Sequence, residues 1–193
     1  MKTLFSYLAF FCALAGGTVY IVSVFRGQAR PQRITWLLWS ILGVVYLLSA
    51  IKSHGNVIYM LAELIGPLLI FLLSLRYGVG GTSRLDIASL AIALFALALL
   101  TFTKRPIASI LLCLFVDAIG AFLTINKLLH DRGSEPRIMW LISALGGGFA
   151  LLGLHDFRVE NLLFPSYILV LGLITFSLIR SPQQCSSSSD IIV

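Results

Sequence analysis

Long hydrophobic runs separated by short polar segments dominate the pattern of this chain. A helix that spans a bilayer needs about 20 mostly apolar residues, with a range of about 17–25. Seven runs reach that length, and the only charged residues inside them are Glu63 and Asp117. Because backbone polar groups in lipid must be satisfied within their own segment, such runs are typical of helices. The pattern predicts an all-α membrane protein with seven transmembrane helices: Leu4–Phe25, Ile34–Ile51, Val57–Leu75, Ile87–Thr103, Pro106–Asn126, Ile138–Leu154 and Leu162–Ile179.

The first run also has features of a secretory signal peptide. Lys2 precedes the apolar stretch, and Ala13-Leu14-Ala15 offers small residues for cleavage. The run nevertheless continues without a charge from Leu4 to Phe25, which makes 22 residues. That length spans a bilayer. We therefore expect a retained helix, with cleavage as the alternative.

Composition supports a polytopic membrane protein and excludes other classes. Hydrophobic residues make up 59% of the 193 residues, charged residues only 11%, and the mean hydropathy is +0.98. A soluble domain carries about 25% charged residues, so a soluble enzyme, a disordered chain and a disulfide scaffold are excluded. The sequence contains no nucleophile elbow, phosphate-binding loop or zinc-protease motif. We expect neither enzyme activity nor a cofactor.

The net charge of +6 has a topological interpretation, because the charges lie in short loops between the apolar runs. With seven helices, the loops after the first, third and fifth share a side with the C-terminus. That side carries nine Lys and Arg, and the other side carries five. Cytoplasmic loops are the richer in Lys and Arg, so we expect the N-terminus outside and the C-terminus inside, in a bacterial cytoplasmic membrane. The expected partners are the lipid bilayer and a small-molecule substrate, with no nucleic acid; whether the chain forms a homo-oligomer stays open.

The chain contains an internal repeat at an offset of 104 residues. Residues 33–37 (RITWL) align with residues 137–141 (RIMWL). Pro67 matches Pro165 once the preceding loop is shortened by six residues. The same offset pairs two sets of glycines, Gly16 with Gly120 and Gly43 with Gly147. A fixed offset indicates duplication, and the alternative is a chance similarity between Leu-rich helices.

The repeat predicts the domain organisation. Residues 1–84 form a first three-helix unit, 85–105 a linker helix, 106–180 a second three-helix unit and 181–193 a disordered Ser-rich tail. An odd linker helix gives the two units the same orientation in the membrane. Such parallel repeats, related by an axis along the membrane normal, occur in transporters with a central site between the repeats.

The 3+1+3 plan with an outside N-terminus resembles the SWEET, PQ-loop and PnuC-like superfamily of small seven-helix transporters. Residues 116–127 (VDAIGAFLTINK) are similar to the helix that carries the Pro-Gln signature in that group, and residues 33–39 (RITWLLW) resemble a junction found in uncharacterised bacterial membrane proteins. The literal Pro31-Gln32 pair lies before the second helix, whereas the family carries it within the first helix of each repeat. The resemblance therefore implies the fold and transport, but no particular substrate.

Asp117 is the sharpest functional candidate. It lies 11 residues after Pro106, about 16 Å along the helix and near the middle of a hydrocarbon core about 30 Å thick. A charge there costs at least about 2.5–3.5 kcal/mol on insertion scales and by default marks a polar pathway or proton relay. The alternative is a hydrogen-bonded Asp that only ties helices together. Thr124, two turns further along the same face, and Asn126, near the cytoplasmic end, join it as pathway candidates.

Glu63 is the second intramembrane carboxyl. Tyr59, Glu63 and Pro67 are spaced four residues apart and share a helix face. Pro67 lacks an amide hydrogen and frees the Glu63 carbonyl, so this face is expected to line a cavity and Pro67 to act as a hinge. Asn161 and Pro165 repeat the spacing in the seventh helix. Because Glu63 lies nearer the outer surface than Asp117, a solvated or paired Glu is the alternative, and a joint acid–base function is disfavoured.

Trp36 and Trp140 begin the second and sixth helices at matched positions. One interpretation is the aromatic belt, in which indole rings lie at headgroup level. The other is that the matched pair flanks an inner gate. The chain's three Cys and three His have no metal-ligand spacing, so no metal site is expected: Cys12, Cys113, Cys185, His54, His130 and His155.

These patterns favour a transporter that moves a small polar metabolite through a site between the repeats, with proton coupling through Asp117. The competing hypothesis is a receptor or scaffold whose repeat encloses no pathway. A cavity lined by the two intramembrane carboxyls and open to one side would favour transport, whereas carboxyls paired inside a tightly packed bundle would favour the scaffold.

Overall fold

The structure, a computed structural model, describes residues 1–53, 57–103, 106–154 and 156–179. The predicted tail (181–193), His54, His155 and Cys185 lie outside the described residues. The described chain is all-α, as predicted, with helix ends within four residues of those expected from the apolar runs. The helices are α1 (Lys2–Phe25), α2 (Arg33–Ser53), α3 (Val57–Tyr77), α4 (Arg84–Leu100), α5 (Pro106–His130), α6 (Arg137–Leu152) and α7 (Val159–Leu178).

Four of these helices are long and apolar enough to cross a membrane, namely α1, α3, α5 and α7. Two shorter apolar stretches are Arg33–Leu48 of α2 and the whole of α6. Large hydrophobic side chains point outward from the bundle, among them Phe11, Leu75 and Phe95. An exterior of this kind is unfavourable in water and suits insertion into lipid.

Six of the helices form a closed ring. Each contacts the next in the order α1, α6, α7, α5, α2, α3 and back to α1. The fourth helix lies outside this six-helix ring, against α5 and α2. Its Ala-rich face allows that close packing, since Ala93 and Ala96 are buried against Leu38 and Val116. The chain order thus differs from the spatial order, because α3 lies between α1 and α2, and α7 lies between α5 and α6.

Consecutive helices run in alternate directions, because the loops after α1, α3 and α5 meet at one end of the bundle. The Arg30 N–H donates to Ser134 O at 3.0 Å, and the Val79 N–H donates to Pro31 O at 2.9 Å. The last turn of α7 lies at the same end, where Arg137 Nε donates to Phe176 O at 3.3 Å. We call this the basic end, since these loops and helix ends carry most of the Lys and Arg of the described chain.

The basic end is fixed by buried polar contacts rather than by apolar packing alone. Asp86 and Ser83 form a capping box at the start of α4. Gln32, in the loop before α2, donates from Nε2 to Asp86 Oδ1 at 2.6 Å and accepts the Thr35 N–H through Oε1 at 2.7 Å. One amide side chain therefore links the starts of α2 and α4.

Glycines set the closest helix contacts inside each group of three helices. A methyl group at Gly43 would lie 2.8 Å from Leu64 Cα, on α3. One at Gly147 would lie 2.7 Å from Leu169 N, on α7. Both distances are shorter than a van der Waals contact and involve backbone, so no larger residue fits at either position without a shift of the helices.

A second pair of glycines lies where the two groups of helices meet. A methyl group at Gly16 of α1 would contact Ser143 Oγ of α6 at 3.7 Å. One at Gly120 of α5 would contact Trp39 Nε1 of α2 at 3.0 Å. The two contacts join equivalent positions of the internal repeat, because Gly120 lies 104 residues after Gly16 and Ser143 lies 104 residues after Trp39.

Candidate functional site

The six-helix ring surrounds a cavity of about 90 Å³. Every helix of the ring contributes to its wall, whereas α4 contributes none of the described lining residues. The lining is mainly apolar and aromatic, with two carboxyls. The residues used below are Gly17, Trp36, Trp39, Gly43, Tyr46, Glu63, Gly66, Pro67, Asp117, Trp140 and Ser143. We call this space the central cavity.

Both intramembrane carboxyls line the central cavity. Asp117 reaches it from α5 and is only 5% exposed, while Glu63 reaches it from α3 and is partly buried. The two side chains are near enough to interact electrostatically. None of the described lining residues is Lys, Arg or His, so neither carboxyl has a cationic partner within the wall.

Tyrosines from three helices surround these carboxyls. Tyr59 lies one turn before Glu63 on α3, is buried and interacts with the Glu63 carboxyl. Tyr46 of α2 lies near both carboxyls, and Tyr167 of α7 lies near Asp117. The site therefore brings several polar groups together, although the helices that build it consist mainly of apolar residues.

Two of these hydroxyls lack a hydrogen bond of normal geometry. Among the described residues, the buried side-chain polar atoms without a partner are Trp36 Nε1, Tyr46 Oη and Tyr167 Oη. Tyr167 Oη nevertheless interacts with the Asp117 carboxyl, and Trp36 Nε1 with the Tyr20 hydroxyl. A buried donor without a well-formed hydrogen bond is unfavourable. Trp36 and Tyr46 line the central cavity, where a solute could satisfy them.

The three tryptophans of the chain form one aromatic wall of the cavity. The Trp36 and Trp39 ring centroids are 5.0 Å apart, and those of Trp39 and Trp140 are 6.0 Å apart, both edge to face. The ring centroids of Trp36 and Tyr20 are 4.7 Å apart, also edge to face. Because Trp39 belongs to α2 and Trp140 to α6, the wall joins both groups of helices.

A buried network centred on Glu135 lies at the basic end, next to the aromatic wall. The Glu135 carboxylate accepts hydrogen bonds from Tyr20 Oη at 2.8 Å and Trp140 Nε1 at 3.3 Å, and it pairs with Lys127 Nζ. Lys127 also donates to Arg30 O at 2.5 Å. The network therefore fixes the ring of Trp140, which lines the cavity, and that of Tyr20, which packs against Trp36.

The aromatic-belt interpretation of Trp36 and Trp140 is wrong. The two residues are 2% and 3% exposed, whereas a ring at headgroup level would face outward. Both Glu63 and Asp117 line one cavity, while the difference in depth between them stays a prediction. Pro67 lines the same cavity, and a methyl group added at Gly43 of α2 would lie 3.2 Å from the Glu63 carbonyl oxygen.

Five of the residues singled out in the sequence do not line the central cavity, and Tyr59, described above, is one of them. Thr124 is buried between helices, where Oγ1 donates to Thr35 Oγ1 at 3.2 Å. Asn126 lies near the basic end, and its carbonyl contacts His130 Nδ1. Asn161 is exposed and donates to Asp156 O at 3.2 Å, while Pro165 packs against Gly147.

The sequence interpretation missed Tyr46, Tyr167 and Glu135. Nothing in a Leu-rich helix distinguishes a tyrosine that faces the centre from one that faces lipid. Glu135 lies in a polar loop, where an exposed carboxylate is the usual outcome. Its position two residues before the repeated Arg-Ile-x-Trp-Leu segment is the signal that could have indicated a role.

Within the part of the chain that the structure describes, no three His, Cys, Asp or Glu side chains come together as a metal site would require. The arrangement can hold a solute between carboxyls and aromatic rings. The chain matches no family model, no curated protein and no solved structure. The case for function therefore depends on the site itself.

Proposed function

We propose that this chain is a seven-helix transmembrane transporter that moves a small polar metabolite through the central cavity. The observation that carries the proposal is a cavity that residues of all six ring helices line, both intramembrane carboxyls among them. Carboxyls are costly inside a membrane and typically mark a solute or ion pathway there. A scaffold would instead be expected to hold them paired within a packed core.

Equivalent contacts support two parallel three-helix repeats around this cavity. The helix contacts α1–α3, α2–α3 and α1–α6 have the counterparts α5–α7, α6–α7 and α5–α2. The contact of Gly16 with Ser143 and that of Gly120 with Trp39 follow the same offset of 104 residues. Two units related in this way can rock against each other about a central site, as in transporters built from repeats.

The distribution of charge supports an orientation. Arg and Lys are concentrated at the basic end, which is the cytoplasmic end under the positive-inside rule. The N-terminus then lies outside, and the Trp36 and Trp140 rings lie on the cytoplasmic side of the cavity as an inner gate. Asp117, with no cation beside it in the wall, is the group through which proton coupling would act.

Uptake into proteoliposomes tests the proposal. The panel comprises sugars, amino acids, amines, vitamins and nucleosides, each measured against empty liposomes. Gly66 lines the cavity and a methyl group there meets nothing within 4 Å, so Gly66→Leu is expected to fill the pathway without disturbing the helices. Gly148→Leu is the matched control, because Gly148 also has open space but does not line the cavity.

The proposal predicts uptake of at least one class that Gly66→Leu abolishes and Gly148→Leu preserves. If the well-folded protein takes up no member of the panel, the receptor or scaffold hypothesis replaces it. Uptake that persists in Gly66→Leu would show that the solute does not pass through the central cavity.

A further inference from the structure

We propose that the solute of the central cavity is a small organic cation, an amine or quaternary ammonium that also carries a hydrogen-bonding oxygen. The inference rests on the proposed function, because it names the substrate class of the same site. Three features of the cavity carry it: its two carboxyls without a basic residue beside them, its aromatic wall and its unpartnered donors.

The charges around the cavity have one sign. Glu63 enters from α3 and Asp117 from α5, so they belong to different groups of helices, and no Lys, Arg or His is among the described lining residues. An anionic solute would meet two carboxyls without any compensating cation. A cationic solute favours the ionised form of both carboxyls when it binds between them.

The aromatic wall is suited to the same ligand. Indole faces attract cations, and quaternary ammonium groups are recognised by cages of aromatic rings. Trp36, Trp39 and Trp140 all line the cavity, with Trp39 between the other two at 5.0 and 6.0 Å. The wall therefore offers several aromatic surfaces to one bound cation, on the side of the cavity nearer the basic end.

The unpartnered donors indicate an oxygen on the ligand. Trp36 is 2% exposed, and its Nε1 has no hydrogen-bond partner among the described residues. Tyr46 Oη is likewise without one, and Tyr46 lies near both carboxyls. An indole N–H can only donate, so the group that satisfies Trp36 must be an acceptor, such as a hydroxyl oxygen.

The probe should carry the two features that the wall recognises, a positive charge and a hydrogen-bonding oxygen. Choline, which joins a quaternary ammonium to one hydroxyl, is the probe that carries both features.

Isothermal titration of the purified full-length protein with matched probes tests the inference. Choline is compared with 3,3-dimethylbutan-1-ol, which has the same shape and hydroxyl but no charge, and with tetramethylammonium, which has the charge but no hydroxyl. We expect choline to bind at least about tenfold more tightly than the neutral analogue, since a buried charge pair is lost in the latter. Equal affinities for the two would overturn the inference without any variant being made.

Variants of the lining residues then test which side chains recognise choline. Glu63→Gln and Asp117→Asn keep the side-chain size and should each weaken choline binding by about tenfold or more. Asp156→Asn, which changes an exposed carboxyl outside the cavity, should leave it unchanged. Trp36→Phe should weaken choline more than tetramethylammonium, because only choline can accept from the indole N–H. Unchanged choline affinity in both carboxyl variants would overturn the inference.

The outcomes separate this inference from the proposed function. If the cationic probes do not bind but a neutral or anionic solute enters proteoliposomes and is blocked by Gly66→Leu, the cation inference is wrong and the transport function stands. If choline binds in a charge-dependent manner but no solute is transported, the cavity is the ligand site of a receptor and the transport proposal is wrong.

Discussion

Substitution of Glu135 by Gln tests how much the buried network at the basic end stabilises the protein. The Glu135 side chain is fully buried, while that of its partner Lys127 is 12% exposed. The carboxylate accepts from Tyr20 and Trp140 as well. A glutamine of the same size removes the charge and directs two amide hydrogens at a cluster of three donors.

The magnitude follows from the burial of the pair. Removing one partner of a buried ion pair costs about 3–5 kcal/mol. Because Lys127 keeps the Arg30 carbonyl as an acceptor at 2.5 Å, we expect the lower bound, about 3 kcal/mol. For a chain of this length 1 kcal/mol shifts Tm by about 2–4 °C, so Glu135→Gln should lower the Tm by about 6–12 °C.

Thermal unfolding in detergent, followed by tryptophan fluorescence, measures this shift. The control is Asp156→Asn, which breaks an ion pair whose side chains are 48% and 73% exposed; exposed pairs contribute about 0–1 kcal/mol. Replacing both members, Lys127→Met with Glu135→Met, should recover much of the loss, because a buried pair can be exchanged for apolar residues at little cost. A Glu135→Gln shift as small as that of Asp156→Asn would refute the reasoning.

Three further predictions follow from the packing and from the site. Gly147→Ala should destabilise the protein by about 1–3 kcal/mol because its methyl group would meet α7 backbone, whereas Gly148→Ala, which meets nothing within 4 Å, should leave the Tm unchanged or higher; equal Tm values would contradict the observed helix approach. Asp117→Asn should abolish the dependence of uptake on an imposed pH gradient, and unchanged uptake with unchanged pH dependence would refute proton coupling. Choline affinity should fall as the pH is lowered, because protons and the cation compete for the same carboxyls, and titrations at several pH values that give one affinity would argue against carboxyl recognition.

The sequence predicts the helices well, because the length of an apolar run is a direct physical requirement of the bilayer. α5 is the exception at its C-terminal end, where it continues four residues past the apolar run. Lys127 and His130 lie in that last turn, where basic groups interact favourably with the helix dipole. The carboxyls Glu63 and Asp117 could be predicted as site residues for the same reason, since a charge within an apolar run is exceptional.

The sequence could not predict which face of each helix turns towards the cavity and which turns towards lipid. In a soluble protein the polar face of a helix marks the solvent side, but here both lipid and neighbouring helices are apolar. Periodicity therefore could not separate Thr124, which is buried between helices, from Tyr46, which lines the cavity. The internal repeat was a better guide than periodicity to cavity-lining residues. It paired Trp36 with Trp140, and these two lie in one aromatic wall.

The central claim is that the cavity opens alternately to the two sides of the membrane, and cysteine accessibility tests it without knowledge of the solute. Ser143 lines the cavity and Ser89 is buried outside it on α4, so Ser143→Cys and Ser89→Cys are compared in a background without the native cysteines. A membrane-impermeant thiol reagent is applied in turn from each side of sealed vesicles. We predict modification of Ser143→Cys from both sides, slowed by choline, and no modification of Ser89→Cys. Modification of Ser143→Cys from one side only, or from neither, would contradict transport through the central cavity.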